Sequence, residues 1–145
     1  MSPRLIPEFD VLALDASLEF YVGEIGFSIV YDRPEERFVY LDLEGAHLML
    51  EEASGAGRRF HAEPLERPLG RGMNLQIQVS NVDAIYANLE AARNRISMEL
   101  EESWYRRGSE ENGNRQFVVA DPDGYLLRFY TDLGRRPTAQ PPLDE

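Results

Sequence analysis

One spacing occurs twice in this chain and limits what it can fold into. Leu18, Tyr21, Val22 and Ile25 stand at i, i+3, i+4 and i+7, the apolar stripe of an amphipathic helix. Val82, Ile85, Tyr86 and Leu89 repeat it, each 64 positions after its counterpart. A stripe returning at a fixed shift marks a duplicated supersecondary unit. Asp15 or Ser17 is placed to cap the first helix and Ser80 or Asn81 the second, while Gly23 and Gly26 keep the first one short.

The segments around the two helices repeat as well. Before the first, Glu8-Phe9-Asp10-Val11 alternates with period two; before the second, Asn74-Leu75-Gln76-Ile77-Gln78-Val79 does the same. Such alternation belongs to half-buried strands. Three strand candidates follow each helix: 27–31, 37–43 and 46–51 in the first half, 96–100, 116–120 and 125–130 in the second. Glu44-Gly45 suits a two-residue hairpin turn, and Asp121-Pro122-Asp123-Gly124 joins the last two strands. The expected fold is therefore α+β, built as βαβββ twice. One domain covers 1–132, with module one at about 5–52, a Gly- and Pro-rich linker at 53–72 and module two at about 73–131. Residues 101–114 show no sustained period. Residues 133–145, with Pro137, Pro141 and Pro142, are expected to form a flexible tail.

Charge and composition exclude several functions. Twenty-six acidic against 15 basic residues give a net charge of −11 and a pI near 4.6. That sign disfavours nucleic acid or an anionic membrane as a partner and suits a cationic or neutral one. Without cysteine the chain has no disulfide, thiolate metal site or thiol nucleophile. No apolar run approaches the roughly 18 residues of a membrane span, and residues 1–9 lack a signal-peptide hydrophobic region, so a cytoplasmic protein is expected. There is no Gly-x-Ser-x-Gly elbow and no phosphate-cradling glycine loop.

Alternation sorts the strand residues onto two faces. Phe9, Val11, Leu48, Leu50, Leu75, Ile77, Val79, Leu127 and Phe129 form the expected core face. The opposite face carries Glu8, Asp10, Asn74, Gln76, Gln78, His47, Met49, Glu51 and Arg128. A solvent-washed sheet explains this polar set. So does a curled sheet whose concave side forms a small-molecule cleft, and alternation leaves both readings open.

The paired βαβββ pattern, Asp15-Ala16-Ser17-Leu18-Glu19-Phe20-Tyr21, Leu48-Met49-Leu50-Glu51 and Asp121-Pro122-Asp123-Gly124-Tyr125-Leu126-Leu127-Arg128-Phe129 carry a resemblance. Over residues 5–130 the chain resembles the glyoxalase/bleomycin-resistance group of the vicinal-oxygen-chelate superfamily. The resemblance implies two modules curled into a half-open, barrel-like sheet with a working concave face. In metal-dependent members, His and Glu ligands project from the first and last strands of each module. Here those positions fall on Glu8, Asn74, Arg128 and either Met49 or Glu51. A guanidinium has no lone pair and carries a fixed positive charge, so neither a metal nor another cofactor is expected. His47 and His61 read as solvated or locally hydrogen-bonded histidines. Glu8 with Glu51 offers an acid/base couple, which Arg128 nearby would convert into a salt bridge.

Metal-free bleomycin-resistance members, similar in having arginine in a Leu-Leu-Arg strand and methionine in Leu-Met-Leu-Glu, imply sequestration without catalysis. The expectation is a homodimer, with Pro3 and Pro7 suiting a stiff exchanged arm, that holds a cationic glycopeptide antibiotic or similar small molecule at the dimer interface. The expected ligand-binding residues are Glu8, Asp10, Phe38, Tyr40, Met49, Glu51, Asn74, Trp104, Phe117 and Arg128. The family's groove tryptophan would fall near Asn112, so Trp104 comes early and either lines the groove or plugs the dimer contact. The alternative is a metal-dependent enzyme of the same fold, a glyoxalase-type lyase or isomerase, or a dioxygenase.

Overall fold

Module one begins with strand β1 (Glu8–Val11), followed by helix α1 (Leu14–Leu18) running into a π-wound segment (Glu19–Ile25). Strands β2 (Ser28–Arg33), β3 (Phe38–Leu43) and β4 (Ala46–Glu52) complete it, with a 3₁₀ turn (Pro34–Glu36) between β2 and β3. Module two repeats the order as β5 (Asn74–Gln78), α2 (Val82–Ala91), β6 (Ile96–Arg107), β7 (Glu110–Ala120) and β8 (Leu126–Pro137). The structure is a computed structural model that describes residues 3–55, 60 and 64–138. The two sheets have equivalent strand orders, β1-β4-β3-β2 and β5-β8-β7-β6. In each, the first strand runs parallel to the last and the other pairs are antiparallel. The duplication legible in the stripes is thus a duplication of topology. The two four-stranded sheets do not close into one barrel.

Core formation follows the alternation. Phe9, Val11, Leu48, Leu50, Ile77, Val79, Leu127 and Phe129 are buried in one cluster, with Leu75 partly buried against it. Glu44 and Gly45 both take positive φ (51° and 96°), the two-residue turn whose twist matches an antiparallel pair. No helix among the described residues is long and apolar enough to cross a membrane.

The helix termini divide the expectations. Asn81 caps α2, accepting the Ala84 N–H at 3.1 Å. Neither Asp15 nor Ser17 caps α1, because the helix starts at Leu14, ahead of both, after an extended Ala13. Glu52 of β4 serves that end instead, accepting the Leu14 N–H through Oε2 at 2.9 Å. The π winding that follows turns Phe20, Tyr21 and Ile25 into the core, while Leu18 and Val22 of the 3.6-residue stripe stay half-buried.

Where the sequence shows no period, the structure builds a long hairpin. β6 continues to Arg107 and β7 starts at Glu110, so residues 101–107 pair with 110–116. Residues 134–137, expected in a flexible tail, pair with 110–113 as the end of β8. These extensions are largely polar, so main-chain hydrogen bonds form the strands without an apolar period to announce them. His61 and residues 139–145 lie outside the described residues.

The Asp121-Pro122-Asp123-Gly124 turn is more than a hairpin connection. Asp121 Oδ1 accepts the Asp123 and Tyr125 N–H groups, each at 2.9 Å, and its Oδ2 accepts the Tyr21 hydroxyl at 2.6 Å. Asp123 Oδ2 accepts the Leu12 N–H at 3.0 Å, and its Oδ1 accepts the Arg67 guanidinium. Tyr125 donates its hydroxyl to the Asp10 carbonyl at 2.8 Å and stacks on Phe9 at 3.9 Å between centroids. One turn therefore clasps module two to β1, to the π-wound segment and to the linker.

Candidate functional site

Pairing registers place six of the expected residues on one face of the first sheet. Glu8, Met49, Tyr40 and Tyr31 form one row across β1, β4, β3 and β2; Asp10, Glu51, Phe38 and Arg33 form the next. Much of this face is filled by its own side chains. Tyr31 stacks on Tyr40 at 5.0 Å, and the Arg33 guanidinium lies 4.0 Å over the Phe38 ring. Phe38, Tyr40 and Glu51 are buried as a result. The Tyr40 hydroxyl lies 2.6 Å from His47 Nδ1, and His47 Nε2 lies 3.1 Å from Asp42. Both ring nitrogens of His47 are thus engaged within the sheet. Burial pushes the Tyr40 phenol up, with Tyr31 and Asp42 adding to it.

The second sheet forms an open cavity of about 450 Å³ on the corresponding face. Gln76, Arg128 and Tyr130 supply its β5 and β8 sides, and Tyr105, Asn112 and Asn114 its β6 and β7 sides. Arg107, Asp132 and Arg135 line the end where the hairpin extends beyond the core. Arg128 donates to Gln76 Oε1, its register partner. Gln116 donates through Nε2 to the Tyr105 hydroxyl, fixing that phenol from β7.

Arg128 lies in this cavity, while Asn74 belongs elsewhere. Asn74 pairs with Leu126 and borders a mostly apolar crevice that also includes Pro7, Leu48 and Ile77. The neighbour of Arg128 is Gln76, one pleat along. Phe117 is fully buried on the helix-facing side, with its ring 5.1 Å from Tyr86 and 5.6 Å from Phe129. Its sequence neighbours Gln116 and Val118 take the other face, as period two requires. Trp104 packs over Gly113, under the Arg136 guanidinium at 3.9 Å, and Tyr105 takes the cavity position beside it. Asn112, near the expected groove position, lines the cavity. Gln76 was legible on the alternating polar face; Tyr105, Arg107, Asp132 and Arg135 lie in hairpin extensions that carry no period.

Of the residues at which the resemblance places metal ligands, Arg128 does not fit a metal. Arg128 offers donors alone, and its partner Gln76 already accepts from it. Among the described residues, no three His, Asp or Glu side chains group so as to hold an ion.

A comparison with curated proteins finds no match. Among solved structures, TioX from Micromonospora sp. ML1 is similar over 91% of this chain and 100% of its own, with 22% identity and a TM-score of 0.68. A glyoxalase/bleomycin resistance protein/dioxygenase from Alicyclobacillus acidocaldarius matches 89% of this chain and 90% of its own at 19% identity, TM-score 0.60. A superfamily member from Vibrio splendidus 12B01 is 36% identical over 87% of this chain and 95% of its own, with a TM-score of 0.41. The family model described as the Glyoxalase/Bleomycin resistance protein/Dioxygenase superfamily matches residues 11–129. On that match, together with two βαβββ modules of equivalent topology, the chain belongs to the glyoxalase/bleomycin resistance protein/dioxygenase superfamily.

Proposed function

We propose that the protein binds and sequesters a small molecule without transforming it, as a homodimer. The observation that carries this reading is the Arg128–Gln76 pair, which occupies with a hydrogen-bonded cation a position where metal-dependent relatives need lone pairs. Exposed Ile29, Val30 and Tyr31 on edge strand β2 support a second copy as partner, since an unpaired apolar edge favours association. For the ligand, the first sheet supports a cationic antibiotic of the bleomycin type: exposed Glu8 and half-buried Asp10 share its face with the exposed ring of Tyr31. The net charge of −11 favours approach of a cation over a Debye length of about 8 Å.

Titration calorimetry with bleomycin tests the reading. Heat saturating near one drug per subunit, with the drug recovered unmodified, supports it, and flat thermograms at high drug concentration defeat the bleomycin form of it. Elemental analysis of purified protein tests the non-catalytic part. Stoichiometric nickel, zinc, manganese or iron would turn the assignment toward a metal-dependent enzyme.

A further inference from the structure

The cavity of the second sheet carries a charge opposite to that of the chain. Three guanidinium groups, from Arg107, Arg128 and Arg135, line it against one carboxylate, Asp132. The local excess is two positive charges on a protein of net charge −11. Arg135 reaches Glu110 at 3.9 Å, an exposed and weakly held contact. No carboxylate among the described residues pairs with Arg107 or Arg128.

A second observation is independent of charge. Arg128 Nε, Asn112 Oδ1 and Gln116 Oε1 are buried without a hydrogen-bond partner, and the first two belong to cavity-lining side chains. The Gln116 side chain, 1% exposed, stands directly behind the Tyr105 hydroxyl of the wall. Unsatisfied buried polar atoms are uncommon, and two of them in cavity-lining side chains from different strands point to a ligand rather than to packing. Guanidinium forks match the oxygens of carboxylates and phosphates.

We infer that this cavity binds the oxyanion of a small organic ligand, a carboxylate or phosphate, held chiefly by Arg128 and Arg107. The inference deepens the sequestration reading and rests on it, in that the protein holds a small molecule, and it places that ligand's oxyanion in the second-sheet cavity. It also adds a constraint, because a purely cationic ligand leaves these guanidinium groups uncompensated.

The test uses the full chain at low ionic strength, titrated with succinate and with inorganic phosphate, and with neutral succinamide as control. Saturable binding is expected for at least one oxyanion, and which one saturates identifies the source. Arg107→Gln, at an exposed position, and Arg128→Gln should each weaken it at least about tenfold, while Arg71→Gln in the linker, with the same charge change, leaves it within about twofold. Melting curves show that the variants are folded. Absence of saturable oxyanion binding, or binding equal in all three variants, overturns the inference. The bleomycin titration separates the two readings. Drug binding without oxyanion binding removes the oxyanion site and leaves sequestration standing; oxyanion binding with a flat drug titration supports the site and removes the cationic drug.

Discussion

Tyr21 in the π-wound segment donates its hydroxyl to Oδ2 of Asp121, 100 residues away, at 2.6 Å in the buried seam between the modules. Burial raises the Tyr21 phenol well above its ordinary value, and the nearby Asp121 charge raises it further. Burial also raises the Asp121 carboxyl, although the Tyr21 hydroxyl and two backbone N–H groups oppose the shift. Because the folded protein holds the phenolic proton more tightly than the unfolded chain, this contribution is complete below the unfolded tyrosine value near 10 and is lost as pH rises above it. The melting temperature should therefore fall above about pH 10, and less steeply in Tyr21→Phe. At pH 7, Tyr21→Phe should cost about 1–3 kcal/mol in urea unfolding by leaving a buried carboxylate oxygen short of a donor. A variant as stable as the parent would show that the clasp does not depend on this bond.

Glu52 closes the start of α1 from β4. The Arg37 guanidinium at 3.1 Å and the Leu14 N–H hold its carboxyl below the ordinary glutamate value. The sign is opposite to that of Tyr21: the contribution is present above roughly pH 4.3 and disappears as pH falls through the lowered value. Glu52→Ala should lose about 0.5–2 kcal/mol at pH 7, as a lost helix cap does. Melting curves of parent and variant should converge as pH drops below 4.

Phe117 supports the fold and does not touch the cavity. Its removal opens a void between Tyr86 and Phe129. Phe117→Ala should cost about 3–5 kcal/mol in chemical unfolding. Ligand affinity per folded molecule should be unchanged in calorimetry, and a specific loss of affinity in a fully folded variant would return Phe117 to the site.

Gly113 gives Trp104 its seat, since a Cβ there would lie 2.6 Å from the indole ring. Gly113→Ala should push the ring off the hairpin and lower stability by about 1–3 kcal/mol. Trp104 is the sole tryptophan, so its fluorescence reports the change directly. An unshifted emission maximum would show that the hairpin absorbs the methyl group without moving the ring.

The modules were legible because their signals are local. Phe9, Val11, Leu48, Leu50, Leu127 and Phe129 alternate along short stretches, and the backbone that makes them strands also decides their side. Glu44-Gly45 was legible for a similar reason, since its turn needs positive φ at two adjacent residues. The α1 cap was not, because Glu52 reaches Leu14 from 38 residues away. The cavity roles of Arg107, Asp132 and Arg135 were equally hidden: their strands are made by main-chain pairing between largely polar segments.

By itself the sequence determined two βαβββ units, their core faces and an arginine, Arg128, on the polar face of the last strand. These are properties of short periods and single side chains. Tertiary structure decided that Gln76 and not Asn74 stands beside Arg128, that Trp104 and Phe117 leave the cavity, and that three arginines gather in it. Register and hairpin length are fixed by hydrogen bonds between strands distant in the chain, and a one-residue step in either moves a side chain to the opposite face.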